Sequence, residues 1–191
     1  MIDLCLALVI DWSASIPAPL GREVIAAHVA GLRDDRVRKH AEENGVAVTV
    51  VLFGDRAEVL LPWKASPAEA ADALERITTA APDGNTAAGE GVFLALEQMA
   101  RGPVCERRII DLAGDGQSNQ GREMRAARDA AEAAEVRINA VMFQTERGAT
   151  DPIQWARDEA ITLGGFVMGA TTPEQWVRAI TRKLVLEVAA R

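Results

Sequence analysis

Four short apolar-rich runs, at residues 4–10, 46–53, 108–113 and 136–143, recur along the chain. They constrain the fold more than any other feature. Each is too short for a core helix, has no regular polar alternation, and is followed by a turn. That is the pattern of a strand buried on both faces. A fifth run at 57–61 follows Gly54-Asp55 so closely that it predicts an antiparallel hairpin ending at Pro62, since a parallel return needs a longer crossover. A sixth, short strand is expected at 166–168.

Helical segments lie between the strands. Residues 24–32 have helical spacing, with Asn44-Gly45 as the stop. Ser66-Pro67-Ala68-Glu69 opens a helix to about Thr79, with the serine capping, proline in the first turn and glutamate reaching back. Further helices are expected at 87–100 and 122–135. Two more open at Asp151-Pro152 and at Thr172-Pro173-Glu174, the last carrying Trp176, Ile180, Leu184 and Val188 on one face. The alternation predicts an α/β fold: a doubly wound, mostly parallel six-stranded sheet with one antiparallel edge strand and helices on both faces. With no repeat and no linker, residues 1–191 are expected to form a single domain.

Composition narrows the partners. The net charge of -7 argues against a nucleic-acid backbone, whose binding needs clustered Lys and Arg, and against an anionic membrane surface. No segment approaches the ~20 apolar residues of a membrane span, so no membrane insertion is expected. As written the chain reads as cytoplasmic; a periplasmic or secreted protein trimmed at its N-terminus would read the same way. The two cysteines, Cys5 and Cys105, form no C-x-x-C pair, which removes zinc and thioredoxin-like chemistry. Cys5 is expected to be a small buried hydrophobe, and a disulfide with Cys105 is the less favoured arrangement, given its strict geometry.

In an open doubly wound sheet, ligands bind beyond the carboxyl ends of the strands, where strand order reverses. Asp11 closes the first run and Asp115 follows the run at 108–113. In the common winding order these strands are neighbours at the switch point, so both carboxylates enter one crevice. Close carboxylates repel, so a cation is expected between them. Ser13 and Ser15 place hydroxyls two and four residues after Asp11, and Thr86 adds a third from the loop Asp83-Gly84-Asn85-Thr86. Such hard oxygens suit Mg²⁺ or Mn²⁺ rather than zinc, with Ca²⁺ a further candidate.

The D-x-S-x-S stretch at 11–15, the threonine in a glycine-containing loop and the Gly114-Asp115-Gly116 turn together resemble the metal-ion-dependent adhesion site of von Willebrand factor A (vWA) domains. The likeness covers nearly the whole chain. Residues 114–121 and the ending Lys183-Leu184-Val185-Leu186-Glu187 resemble a bacterial branch of that family. The resemblance implies that Ser13, Ser15 and Thr86 ligate the metal through hydroxyls, and that Asp11 and Asp115 hold it directly or through water. It also implies that a partner's Asp or Glu completes the coordination, and it implies no enzymatic reaction. Mg²⁺ takes six oxygens and only two protein carboxylates are supplied, which leaves such a site open.

Plainer readings stand beside these. Either aspartate alone could be a turn former, and Asn85 and Asn119 read as turn formers that could also orient metal-bound water. Asp111, in mid-strand, is expected to be a structural carboxylate paired to an arginine or to backbone amides. His28 and His40 are expected at solvent or a helix edge, Trp12 as a packing residue and Trp63 at the sheet edge. The competing function is phosphoryl transfer of the haloacid-dehalogenase type with Asp11 as nucleophile, but Ser13 stands where that family needs a second Asp. A metal-free scaffold is the other alternative, and the intact five-residue set argues against it. No nucleotide-binding glycine motif follows the first strand.

Overall fold

A computed structural model describes residues 2–16, 18–76, 84–144 and 151–189. The apolar runs all become strands, with β2 at the expected bounds, β5 one residue shorter and β1, β3 and β4 extended: β1 (Ile2–Asp11), β2 (Val46–Phe53), β3 (Ala57–Lys64), β4 (Cys105–Gly114), β5 (Arg137–Phe143) and β6 (Val167–Ala170). The sheet order is β3-β2-β1-β4-β5-β6, parallel except for the β2–β3 hairpin. Strand order therefore reverses between β1 and β4. β3 runs through Pro62 rather than stopping there. It lies on the sheet edge, where a missing N–H breaks no ladder on the open side, and its register with β2 is irregular between Val48 and Val51.

Two apolar layers flank the sheet. Leu4, Leu6, Leu8 and Ile10 of β1 face helices α1 (Ala18–Leu32), α2 (Asp35–Asn44), α3 (Pro67–Arg76) and α7 (Pro173–Ala189). Ala7 and Val9 face α4 (Ala88–Arg101), α5 (Met124–Ala133) and the short α6 (Pro152–Trp155), which continues into a π-helical turn at Ala156–Ala160. Period-two alternation of β1 between these layers is what a strand buried on both faces requires. The expected start of α3 is present. Ser66 Oγ accepts the Glu69 N–H at 3.2 Å, and Glu69 Oε2 accepts the Ala65 N–H at 3.2 Å. Its expected end near Thr79 lies outside the described residues. The stretch expected as one helix up to Asn44 is two, because Asp34 leaves the helix and caps a new one, accepting the Arg36 N–H at 2.9 Å.

Three expectations are corrected. Cys5 and Cys105 form a disulfide, with Cα atoms 5.7 Å apart. They are 100 residues apart in sequence, but the β1–β4 pairing brings them face to face. His28 is fully buried, its Nδ1 2.8 Å from the Val24 carbonyl, and His40 is mostly buried with Nε2 2.8 Å from Asp3 Oδ2. Around His28 the inward face of α1 is built mostly from glycine, alanine and valine, which leaves room for an imidazole in the layer. Asp111 pairs with a lysine and not with an arginine: Lys183 of α7 forms ion pairs with Asp111 and, at 2.9 Å, with Glu187. Asn139 Nδ2 also donates to Glu187 Oε1 at 2.9 Å. Burial, with Asp111 beside it, pushes the Glu187 carboxyl up to about 8, although Lys183 pulls the other way. Trp12 is buried as a packing residue and Trp63 is half-buried on the edge strand, its Nε1 donating to the Gln98 carbonyl at 3.1 Å.

Candidate metal centre

β1 and β4 are adjacent, so Asp11 and Asp115 leave the sheet side by side at its carboxyl end. The chain turns sharply after β1. The Ser13 N–H donates to Asp11 Oδ1 at 2.9 Å, which fixes both the carboxylate and the loop. The two serine hydroxyls lie 3.0 Å apart, and Ser15 Oγ donates to Asp115 Oδ1 at 2.8 Å. Asp11, Ser13, Ser15 and Asp115 thus form one hydrogen-bonded set, with the Ser13 peptide N–H as the link to Asp11. Gly114 keeps it compact, since a Cβ there would stand 3.1 Å from Asp11 Oδ2.

Thr86 arrives on a separate loop bonded to both others. Its N–H donates to Asn119 Oδ1 and its carbonyl accepts from the Asn119 N–H, both at 2.9 Å. The Ala14 N–H donates to the Gly84 carbonyl at 3.2 Å. Below this loop α4 runs close against the strand ends, because Gly91 packs where a Cβ would press on Phe53 and Val9. Asn119, expected as a turn former, is thereby the main link between the Thr86 loop and the 114–121 turn.

The electrostatics of the pair are unresolved by protein atoms. Asp11 is 1% exposed and Asp115 6%. Asp11 Oδ2 and Asp115 Oδ2 are buried without a hydrogen-bond partner among the described residues. Burial, reinforced by the Asp115 charge, pushes the Asp11 carboxyl up to about 7, against the pull of the Ser13 hydrogen bonds. Burial also raises Asp115, offset in part by the Ser15 hydroxyl. An orphaned carboxylate oxygen on each aspartate, flanked by hydroxyls, is a donor set that fits a hard divalent cation. Among the described residues, no group of three or more His, Cys, Asp or Glu could hold a metal ion, so any cation here depends on the hydroxyls.

Comparison with known proteins places the fold. A family described as "Protein of unknown function (DUF1194)" matches residues 1–191. The chain belongs to the DUF1194 family. No curated protein matches it. Among solved structures, proximal thread matrix protein 1 from the mussel byssus superposes with a TM-score of 0.74 at 19% identity, over 98% of this chain and 48% of that one. The von Willebrand factor type A protein from Catenulispora acidiphila gives 0.74 at 18% identity, over 98% and 43%. A form of the mussel protein with a zinc-occupied MIDAS motif gives 0.71 at 21% identity, over 98% and 46%. This DUF1194 chain therefore has the vWA fold, and it spans under half the length of these three structures. Among its described residues, no helix is long and apolar enough to cross a membrane.

Sequence reasoning singled out all five candidate ligands. It passed over Asp55 and Gln120, which hold the Thr86 loop, and Lys183 and Glu187, quoted only as part of a resemblance. The spacing of Lys183 and Glu187, one helical turn apart, was a usable signal for a charged pair on one face.

Proposed function

We propose that this chain is a divalent-cation-dependent protein-binding module without enzymatic activity. Asp11, Ser13, Ser15, Thr86 and Asp115 hold Mg²⁺ or Mn²⁺, and an Asp or Glu of a protein partner takes the remaining coordination position. One observation carries the reading: two neighbouring buried aspartates each present an orphaned oxygen, with no lysine or arginine bonded to either among the described residues. Leaving two such carboxylates together costs too much unless they are protonated or share a cation. The zinc-occupied site of the mussel protein supports a cation in this fold. The all-oxygen donor set here favours a harder ion. Ser15 is exposed while Asp11 and Ser13 are buried, which opens the site on one side, where a partner carboxylate can replace water. A phosphoryl-transfer reading lacks its second aspartate, since residue 13 is serine.

The test is thermal and urea unfolding of chelator-stripped protein with and without Mg²⁺ or Mn²⁺, beside Asp11→Ala. The wild type should be stabilised and the variant not. Stabilisation of both would remove Asp11 from the site, and stabilisation of neither would remove the cation. Capture of the partner should then be lost on adding chelator.

The same reading extends to the compartment. The Cys5–Cys105 disulfide belongs to proteins that mature under oxidising conditions, since cytosolic thiols are kept reduced. We infer that the chain works outside the reducing cytosol. Protein isolated with thiols blocked at lysis should show no free thiol on denaturation before reduction. Two free thiols would overturn the assignment.

A further inference from the structure

Thr86 can serve a cation only if its loop holds one position, and other loops supply bonds that hold it there. Gly84 has φ +75°, and Asn85 is exposed. Among the described residues, the bonds that fix residues 84–86 come from other loops. On one side the 117–121 turn grips the Thr86 peptide through Asn119, with Ser118 Oγ donating to the Thr86 carbonyl at 3.2 Å. On the other side stands the turn between β2 and β3, where the Gly54 carbonyl accepts the Ala87 N–H at 2.9 Å.

Asp55, in that second turn, closes the structure. Its Oδ1 accepts both the Asn85 N–H, at 2.7 Å, and Asn85 Nδ2, at 3.0 Å. Its own carbonyl accepts Gln120 Nε2 at 2.8 Å, while Gln120 Oε1 accepts Asn85 Nδ2 at 2.7 Å. Asp55, Asn85 and Gln120 therefore form a closed ring across three separate loops. The approach is tight as well as bonded: a Cβ on Gly84 would run into the Asp55 carboxylate. An aspartate that served only its own turn would bond the backbone two residues on. The hydrogen bonds of this side chain go instead to a residue 30 positions away.

We propose that Asp55 is a positioning residue of the cation site, which sets where Thr86 stands through Asn85 and so tunes cation affinity without touching the ion. The proposal rests on the metal-binding reading above. Groups that orient ligands from behind commonly change metal affinity by about tenfold to a hundredfold when removed. Position is the active property here, because Asn Oδ1 accepts the same two hydrogen bonds as the carboxylate and carries no charge.

Mn²⁺ affinity measured by calorimetry on wild type, Asp55→Ala and Asp55→Asn tests it, with the unfolding midpoint of each metal-free protein alongside. Asp55→Ala should bind Mn²⁺ about tenfold or more weakly with a nearly unchanged metal-free midpoint. Asp55→Asn should recover most of the affinity. Equal affinity of Asp55→Ala and wild type overturns the positioning role alone. An Asp55→Asn protein as weak as Asp55→Ala also overturns it, because charge and not position would then be acting. A wild type that binds no Mn²⁺ overturns the metal site together with this role.

Discussion

Strand β4 carries one buried aspartate in its middle, Asp111, and a second, Asp115, lies just past its end. Each faces another carboxyl group: Asp111 has Glu187 from α7, and Asp115 has Asp11 from β1. The protein treats the two pairs differently. Lys183 is fully buried and bonded to both Asp111 and Glu187, so the interior pair has a cation built into the chain. The pair at the sheet end has hydroxyls and, among the described residues, no cationic side chain bonded to it. Position explains the difference. No ion can reach the closed layer between α7 and the sheet, so its counter-charge must be covalent. At the mouth an ion can arrive from solvent, and it can also be shared with a partner.

The comparison can be broken most forcefully at Lys183. Lys183→Met leaves two buried carboxyls without their cation, and loss of one partner from such a pair costs about 3–5 kcal/mol. Urea unfolding should show it. A loss under about 1 kcal/mol would mean that the interior pair does not need its lysine. The next effect is at the mouth, where a cation that binds only the folded state at a hundredfold excess over its dissociation constant adds about 2.7 kcal/mol. That gain should vanish in Asp11→Ala and persist in Glu187→Gln if the two pairs are independent.

A third test separates the pairs by pH. Asp11 has its folded value raised to about 7 from an ordinary 3.8, and Glu187 to about 8 from 4.5. The folded protein binds more protons than the unfolded chain between those limits, so metal-free stability should fall as pH rises through about 4 to 8. A cation must displace the Asp11 proton, so the stabilisation it gives should grow over about pH 5 to 7. Unfolding midpoints across that range, with and without Mg²⁺, check the sign. A cation effect independent of pH would remove Asp11 as the titrating ligand. Glu187→Gln should flatten the upper part of the metal-free slope and leave the cation effect unchanged.

Much of the candidate site was legible because its residues lie in short local patterns. Asp11, Ser13 and Ser15 sit at one strand end and its turn, and Asp115 follows a strand whose apolar run announces where it stops. The Asp55 ring was not legible. It joins positions 55, 85 and 120, each an ordinary turn residue by itself. His28 misled because its surroundings in sequence read as a helix edge, while its actual neighbours are α7 and the sheet.

The sequence by itself determined the strand–helix alternation, the antiparallel hairpin and the chemistry available at the sheet end, because apolar period and turn residues act over a few neighbours along the chain. Only the tertiary structure decided that Cys5 meets Cys105 and that Lys183 rather than an arginine answers Asp111. It also decided that Asp55 reaches the Thr86 loop. Each of these pairings depends on which strands are neighbours and on which helix covers which face. A polar side chain carries no mark of the distant partner that burial will force it to find.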